Sequence, residues 1–250
     1  MNYKKFTKKL ETSTLVKWRL FNKLREEFES INFLDYKQYQ ESLQRIPNLL
    51  VAEWKKVKRE FKGNPNFDAQ SQKGFLYEAL FYYACLKTEA VFKDAEILGV
   101  KEEGKGSPWF EATPLYDVIP PLHHVHEKKK GKVIKNPQTR CDFLVTYVDD
   151  EGPLPPALVD VKSKKPKRDY IKKFVWQIIS ALRRGFIFQF AYPENGIEYP
   201  KSLKEWAIMT FCPKCRELSK SYRECDQCGE PIFPFTGVDS YYKAKEMQNR

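Results

Sequence analysis

The sequence predicts an α/β protein in which a mixed central β-sheet is flanked by helices, preceded by a helical region and followed by a small metal-held module. Three observations point there. Apolar residues recur every three or four positions through most of the first ninety residues, the spacing of helices with one buried face. From residue 140 onward, short apolar and β-branched runs alternate with breaks rich in Gly, Pro and acidic residues, as strands and turns do. Near the C-terminus, four of the six cysteines fall in two C-x2-C pairs, a spacing that suits a metal better than a disulfide framework. At 250 residues and 42% hydrophobic content, the chain can build one ordinary core plus a small module.

The elements follow in order. Leu15, Trp18, Phe21, Leu24, Phe28 and Ile31 mark a first helix, with Ser13 or Thr14 as its cap. Leu50, Trp54, Val57 and Phe61 repeat the pattern; Pro47 suits the first turn of that helix, and Gly63-Asn64-Pro65-Asn66 stops it. Residues 1–69 thus read as a helical extension. A further helix is expected from Ser71 to Lys87, apolar around most of its circumference, with Glu78 in its middle on the side of Gly74, Tyr82 and Cys85. A carboxylate there needs a partner or a cation.

Ala95 to Val100 reads as a strand, and the charged, proline-containing chain beyond it to Lys130 gives no readable strand order. CDFLVTYV and ALVDVKSK then form a β-hairpin around the loop DDEGPLPP. The basic stretch KKPKRDY leads into an amphipathic helix from Tyr170 to Arg184 that Gly185 ends, and FIFQFAY and EWAIMTF are two more strands. The core therefore spans 70–210, the cysteine ribbon 211–236 and a tail 237–250. No internal repeat or low-complexity segment stands out.

Charge narrows the partner. Forty-four Lys and Arg against 33 Asp and Glu give a net charge of +11, which favours a polyanion, DNA first and an anionic membrane second. The N-terminal segment lacks the apolar core of a signal peptide and no window approaches the roughly 18 apolar residues of a membrane span, so a soluble, cytoplasmic protein is expected. Cys85 and Cys141 are left as buried thiols. His123, His124 and His126 lie among prolines and lysines, with Glu127 the nearby carboxylate, and read as loop or substrate-contact residues.

Chemistry concentrates at Asp160-Val161-Lys162. Strand side chains alternate, so Asp160 and Lys162 share one face. If the hairpin closes at DDEGPLPP, Asp142 lies on the partner strand within about two positions of them. Two carboxylates that close repel, and a hard divalent cation, Mg²⁺ or Mn²⁺, relieves the repulsion. Such an ion polarises a phosphodiester and acidifies water, which Lys162 can orient or deprotonate. Taken alone, a D-x-K reads more readily as a surface ion pair on an edge strand; the apolar strand, the Asp on the preceding strand, the acidic helix residue upstream and the basic helix downstream turn the reading toward a site.

In these residues the chain resembles the PD-(D/E)xK nuclease superfamily, the fold of many restriction endonucleases, over residues 70 to 210. The family pattern is a helix with Glu, a strand beginning with Asp, a strand with (D/E)-x-K and a helix that often carries Gln, matched in order by Glu78, Asp142, Asp160-Val161-Lys162 and Gln177. Cys141 stands where the family name has Pro, and Asp160 where Glu is commoner; neither departure removes a ligand. The resemblance implies a restriction-endonuclease-like core in which Asp142 and Asp160 bind the metal, with the Val161 carbonyl in the shell. It gives Lys162 the nucleophilic water, Glu78 a positioning role and Gln177 a supporting one. Glu78 as a buried partner of Arg140 or Lys162, and Gln177 as a packing or solvent-facing residue, are the structural alternatives.

Cys212-Pro213-Lys214-Cys215 and Cys225-Asp226-Gln227-Cys228-Gly229 make two knuckles nine residues apart, the donor set of a closed structural Zn²⁺ site. Four thiolates also suit iron or an iron-sulfur cluster, and the compact pairs favour zinc that folds the module. The resulting expectation is a Mg²⁺-dependent DNA endonuclease with a zinc ribbon, acting alone, as a homodimer or within a larger nucleoprotein complex. The alternative is an inactive or partner-dependent core serving as a DNA- or RNA-binding adaptor.

Overall fold

The computed structural model describes residues 3–32, 36–97, 109–114, 127–129, 132–134, 142–149, 152–153, 157–167, 170–171, 186–221 and 223–232. The chain divides into two compact units. Met1–Val91, Val161–Lys164 and Pro193–Trp206 form the first; Phe92–Asp160, Lys165–Tyr192 and Ala207–Arg250 form the second. Among the described residues no helix is long and apolar enough to cross a membrane.

The first unit is built on three helices, α1 (Tyr3–Glu29), α2 (Tyr36–Glu60) and α3 (Ala69–Ile97). On α1 the buried stripe is Val16, Leu20 and Leu24 at i, i+4 spacing, with Phe21 beside it, whereas Leu15 and Trp18 are 44% and 60% exposed. The helix is therefore rotated from the face its apolar pattern suggested. Lys17 pairs with Glu78 of α3 at 2.5 Å, and Arg19 pairs with Glu53 of α2 at 2.5 Å and with Glu60. Those partners lie on other helices, so the pattern of α1 alone could not choose between two overlapping stripes.

Helix α2 buries Leu43, Ile46, Leu50, Trp54 and Val57 along one side. Pro47 lies in the interior of this helix and not in its first turn. A proline there removes the N–H that would serve the carbonyl four residues earlier, which is that of Leu43, and typically costs ~3 kcal/mol. The Tyr83 hydroxyl of α3 donates to the Leu43 carbonyl at 2.6 Å in a buried setting. A side chain from a neighbouring helix thus replaces the donor that Pro47 lacks, and the helix continues through it. Burial, with the nearby charge of Glu205, pushes the Tyr83 phenol above its ordinary value, so it stays a donor.

Helix α3 starts beside Asp68, whose carboxylate accepts from the amides of Gln70 and Ser71 at 3.0 and 3.3 Å. As expected it is largely buried, through Leu76, Tyr77, Leu80, Phe81 and Ala84. It runs to Ile97, so residues 95–97, read as the start of a strand, are helical. No Gly or Pro falls between Gly74 and Gly99, and extending a formed helix costs far less than starting one.

The sheet contains β1 (Trp109–Pro114), β4 (Phe143–Asp149), β5 (Gly152–Pro153), β6 (Ala157–Val161), β7 (Ile187–Pro193), β8 (Trp206–Phe211) and β9 (Leu218–Ser219), in the order β1-β4-β6-β7-β8-β9 with β5 paired to β4. Strands β2 (Glu127–Lys129) and β3 (Lys132–Ile134) form a separate two-stranded ribbon. The protein is thus mixed α/β. The expected hairpin is β4–β6, antiparallel, and the front of its loop folds back on β4 as β5. Every residue of β6 and β7 is buried, as in central strands covered on both faces. Gln189 and Thr210 put polar groups into that interior and satisfy each other, Gln189 Nε2 donating to Thr210 Oγ1 at 3.1 Å. Tyr170 and Ile171 begin the expected helix, and its remainder, with Gln177, lies outside the described residues.

The Pro47–Tyr83 relation makes a direct prediction. Tyr83→Phe should cost about 1–3 kcal/mol by orphaning the Leu43 carbonyl. In a Pro47→Ala background, where an amide returns to that carbonyl, the same change should cost clearly less. Equal costs in urea melts of both backgrounds would remove the tyrosine from this role.

Candidate functional site

In the antiparallel ladder of β4 and β6, Phe143 faces Val159, Leu144 faces Leu158 and Val145 faces Ala157. Phe143, Val145, Ala157 and Val159 are buried, so apolar packing fixes the register, which a one-residue slip would destroy. Beyond the last ladder pair, the Asp142 amide donates to the Val159 carbonyl at 3.0 Å. Val159 is already the partner of Phe143, so this bond sets two residues against one, as at a bulge, and leaves Asp142 at the bend beside the end of the ladder.

The environment is asymmetric. Asp160 is 3% exposed, while Asp142, at the bend where the strand begins, is half-buried. A carboxylate carried into an apolar strand is costly unless a hydrogen bond, an opposite charge or a proton answers it. Both belong to the second unit. Asp142 and Asp160 thus stand at the same end of the β4–β6 pair, with Asp160 the buried member.

The other expected members stand as follows. Lys162 is the first residue past β6, two positions beyond Asp160, half-buried and counted with the first unit. Glu78 lies on α3, 7% exposed, and its carboxylate meets Lys17 of α1. Sequence reasoning had offered Arg140 or Lys162 as its partner. Lys17 was missed because it stands 61 positions away on a helix whose inward face had been misjudged. Gln177, Cys141 and the three histidines lie outside the described residues. Cys85 is fully buried, which pushes its thiol well up, as suits an inert core residue.

The cysteines come together as their spacing suggests. The four Sγ atoms of Cys212, Cys215, Cys225 and Cys228 all lie within 4.8 Å of one another. Cys212–Cys228 and Cys215–Cys225 are 3.7 and 3.6 Å apart, far longer than a disulfide. A sulfur tetrahedron with ~2.3 Å metal–sulfur bonds has edges of ~3.8 Å. The cluster can hold a single metal ion, and its dimensions are consistent with zinc.

Its backbone shows a repeat that sequence reading overlooked. Cys212 accepts from the Arg216 amide and donates to the Glu217 carbonyl; Cys225 accepts from the Gly229 amide and donates to the Glu230 carbonyl, all at 2.8–2.9 Å. Arg216 and Gly229, each just after the second cysteine of a pair, share a left-handed backbone at φ 61° and 67°. CPKCRE and CDQCGE are thus one knuckle used twice, thirteen residues apart, and that local likeness was the available signal. Backbone amides also point at the sulfurs. Burial pushes the Cys225 thiol up, but donation from the amides of Gln227 and Cys228 outweighs it, and the thiol sits at about 7.

Comparison with protein-family models, with curated proteins and with solved structures finds no significant match for this chain.

The two left-handed positions give a paired test. A side chain there costs about 1–2 kcal/mol, which Gly229 avoids and Arg216 bears. Gly229→Ala should weaken Zn²⁺ binding roughly five- to thirtyfold, and Arg216→Gly should leave it unchanged or tighten it. A competition titration in which both changes weakened binding alike would contradict the repeated-knuckle geometry.

Proposed function

We propose that this protein is a metal-dependent nuclease that hydrolyses phosphodiester bonds in DNA, with zinc in the four-cysteine ribbon as a structural ion. The observation that carries the reading is that Asp142 and buried Asp160 stand at the same end of the β4–β6 ladder, with Lys162 two residues beyond Asp160. That combination matches the chemistry a phosphodiesterase site needs. Two carboxylate oxygens suit a hard cation such as Mg²⁺ or Mn²⁺. Bound there, the ion would polarise the phosphodiester and acidify a water molecule. Lys162 would orient that water and offset the negative charge that develops on phosphate. The net charge of +11 supports a polyanionic substrate, and the resemblance of the Asp142, Asp160-Val161-Lys162 pattern to PD-(D/E)xK nucleases supports the reaction class.

The ribbon fits zinc as a folding element. Four sulfurs on one small cage leave no open position for substrate, and their spread suits one ion rather than a cluster. Glu78 favours a second reading, since its engagement by Lys17 occupies one acid that the family pattern would aim at the metal. On that reading the core binds nucleic acid as an adaptor, or cuts only with a partner.

Plasmid cleavage separates these. With Mg²⁺ or Mn²⁺ the wild type should nick or linearise supercoiled DNA, and Asp160→Asn and Lys162→Ala should each reduce the rate by about 10²-fold or more. Binding without cleavage under both metals would leave only the adaptor or the partner-dependent enzyme.

A further inference from the structure

The first unit carries a charged surface that the proposed active site does not use. Within eight residues, over the C-terminal end of α2 and the turn after it, stand Lys55, Lys56, Lys58, Arg59 and Lys62, all exposed. Lys55 and Arg59 stand at i and i+4 on one side of the helix, about 6 Å apart along its axis, and Lys62 follows in the turn that continues it. Part of this placement suits the helix itself, because cations at a C-terminus complement its dipole.

The carboxylates around this basic stripe are what set it apart. Glu53 and Glu60 lie in the same stretch of α2, yet both are taken by Arg19 of α1. Glu60 is held below its usual range first by the hydrogen bond from Arg19. Glu198, whose carboxylate feels Lys55, is bound to Lys73 at 3.2 Å. Three neighbouring acids are therefore each held by a cation outside the stripe. Among the described residues none of the five stripe cations forms an ion pair.

The stripe is also held rigidly at its far end. Phe67 packs on Phe61 at 5.5 Å and on Trp54 at 6.2 Å, and Gly63 turns the chain at φ 86°. Its partner must be polar throughout, because the apolar side of α2, Leu43, Ile46, Leu50, Trp54 and Val57, is already buried. A helix that binds a membrane surface needs that side free to enter the lipid.

We infer that the basic surface at the end of α2 and the turn after it, Lys55, Arg59 and Lys62 with Lys56 and Lys58 beside them, is a phosphate-tracking surface for a DNA duplex, remote in sequence from the cleavage residues. It deepens the DNA reading proposed above and rests on it. Contacts of this kind hold DNA without reading its sequence.

The test is binding of a labelled duplex by the zinc-loaded full chain, without Mg²⁺ or Mn²⁺, so that cleavage plays no part. The triple variant Lys55→Gln, Arg59→Gln, Lys62→Gln is compared with a charge-matched control, Lys201→Gln, Lys204→Gln, Lys220→Gln. The stripe variant should lose about 10²-fold in affinity at 0.15 M salt, and the slope of log affinity against log salt should flatten by about 3, while the control changes little. Retained affinity, equal loss in the control, or wild-type preference for anionic vesicles over the duplex would each overturn the inference. Because binding is read apart from cutting, an uncut plasmid in the cleavage assay would not be mistaken for failure of the stripe.

Discussion

The antiparallel register of β4 and β6 is the constraint on which the functional reading depends. Phe143, Val145, Ala157 and Val159 are buried, so sliding one strand by a residue would turn a whole apolar set toward the opposite face. Core packing thereby places Asp142 and Asp160 at the same end of the ladder. Two acids are set at one end of a strand pair by forces that have nothing to do with acids, and the cation site proposed for them depends on that placement. The stability of the sheet and the chemistry of the pair are two consequences of one register.

A related logic runs through the helical unit, where local liabilities are answered from neighbouring elements. Pro47 takes a donor out of α2, and Tyr83 of α3 supplies one. Glu78 is buried on α3, and Lys17 of α1 reaches it. Arg19 takes both Glu53 and Glu60, which leaves Lys55, Lys56, Lys58, Arg59 and Lys62 exposed with no ion pair among the described residues. Each device depends on groups that are distant in sequence and adjacent only once the helices have packed.

That distinction explains what was legible in the residues and what was not. The β4–β6 hairpin, strands β7 and β8 and the cysteine cluster were readable because their signals are local: alternation or apolar runs, turn residues and C-x2-C spacing. The rotation of α1, the place of Pro47 inside α2 and the extent of α3 were misread because tertiary contacts decide them. Trp18 looked like a core residue by spacing and is largely exposed. The repeated knuckle escaped notice for another reason, since Arg216 adopts a backbone conformation for which its identity gives no warning, whereas Gly229 announces it.

The central claim, that Asp142 and Asp160 form a divalent-cation site, is tested most directly by Mn²⁺ titration calorimetry of the zinc-loaded chain, with and without a DNA duplex. One Mn²⁺ site beyond the cysteine-held ion, lost in both Asp142→Asn and Asp160→Asn while each variant keeps its thermal stability, is the predicted result. Mn²⁺ binding unchanged in both variants, or absent from the wild type even with DNA, would contradict it.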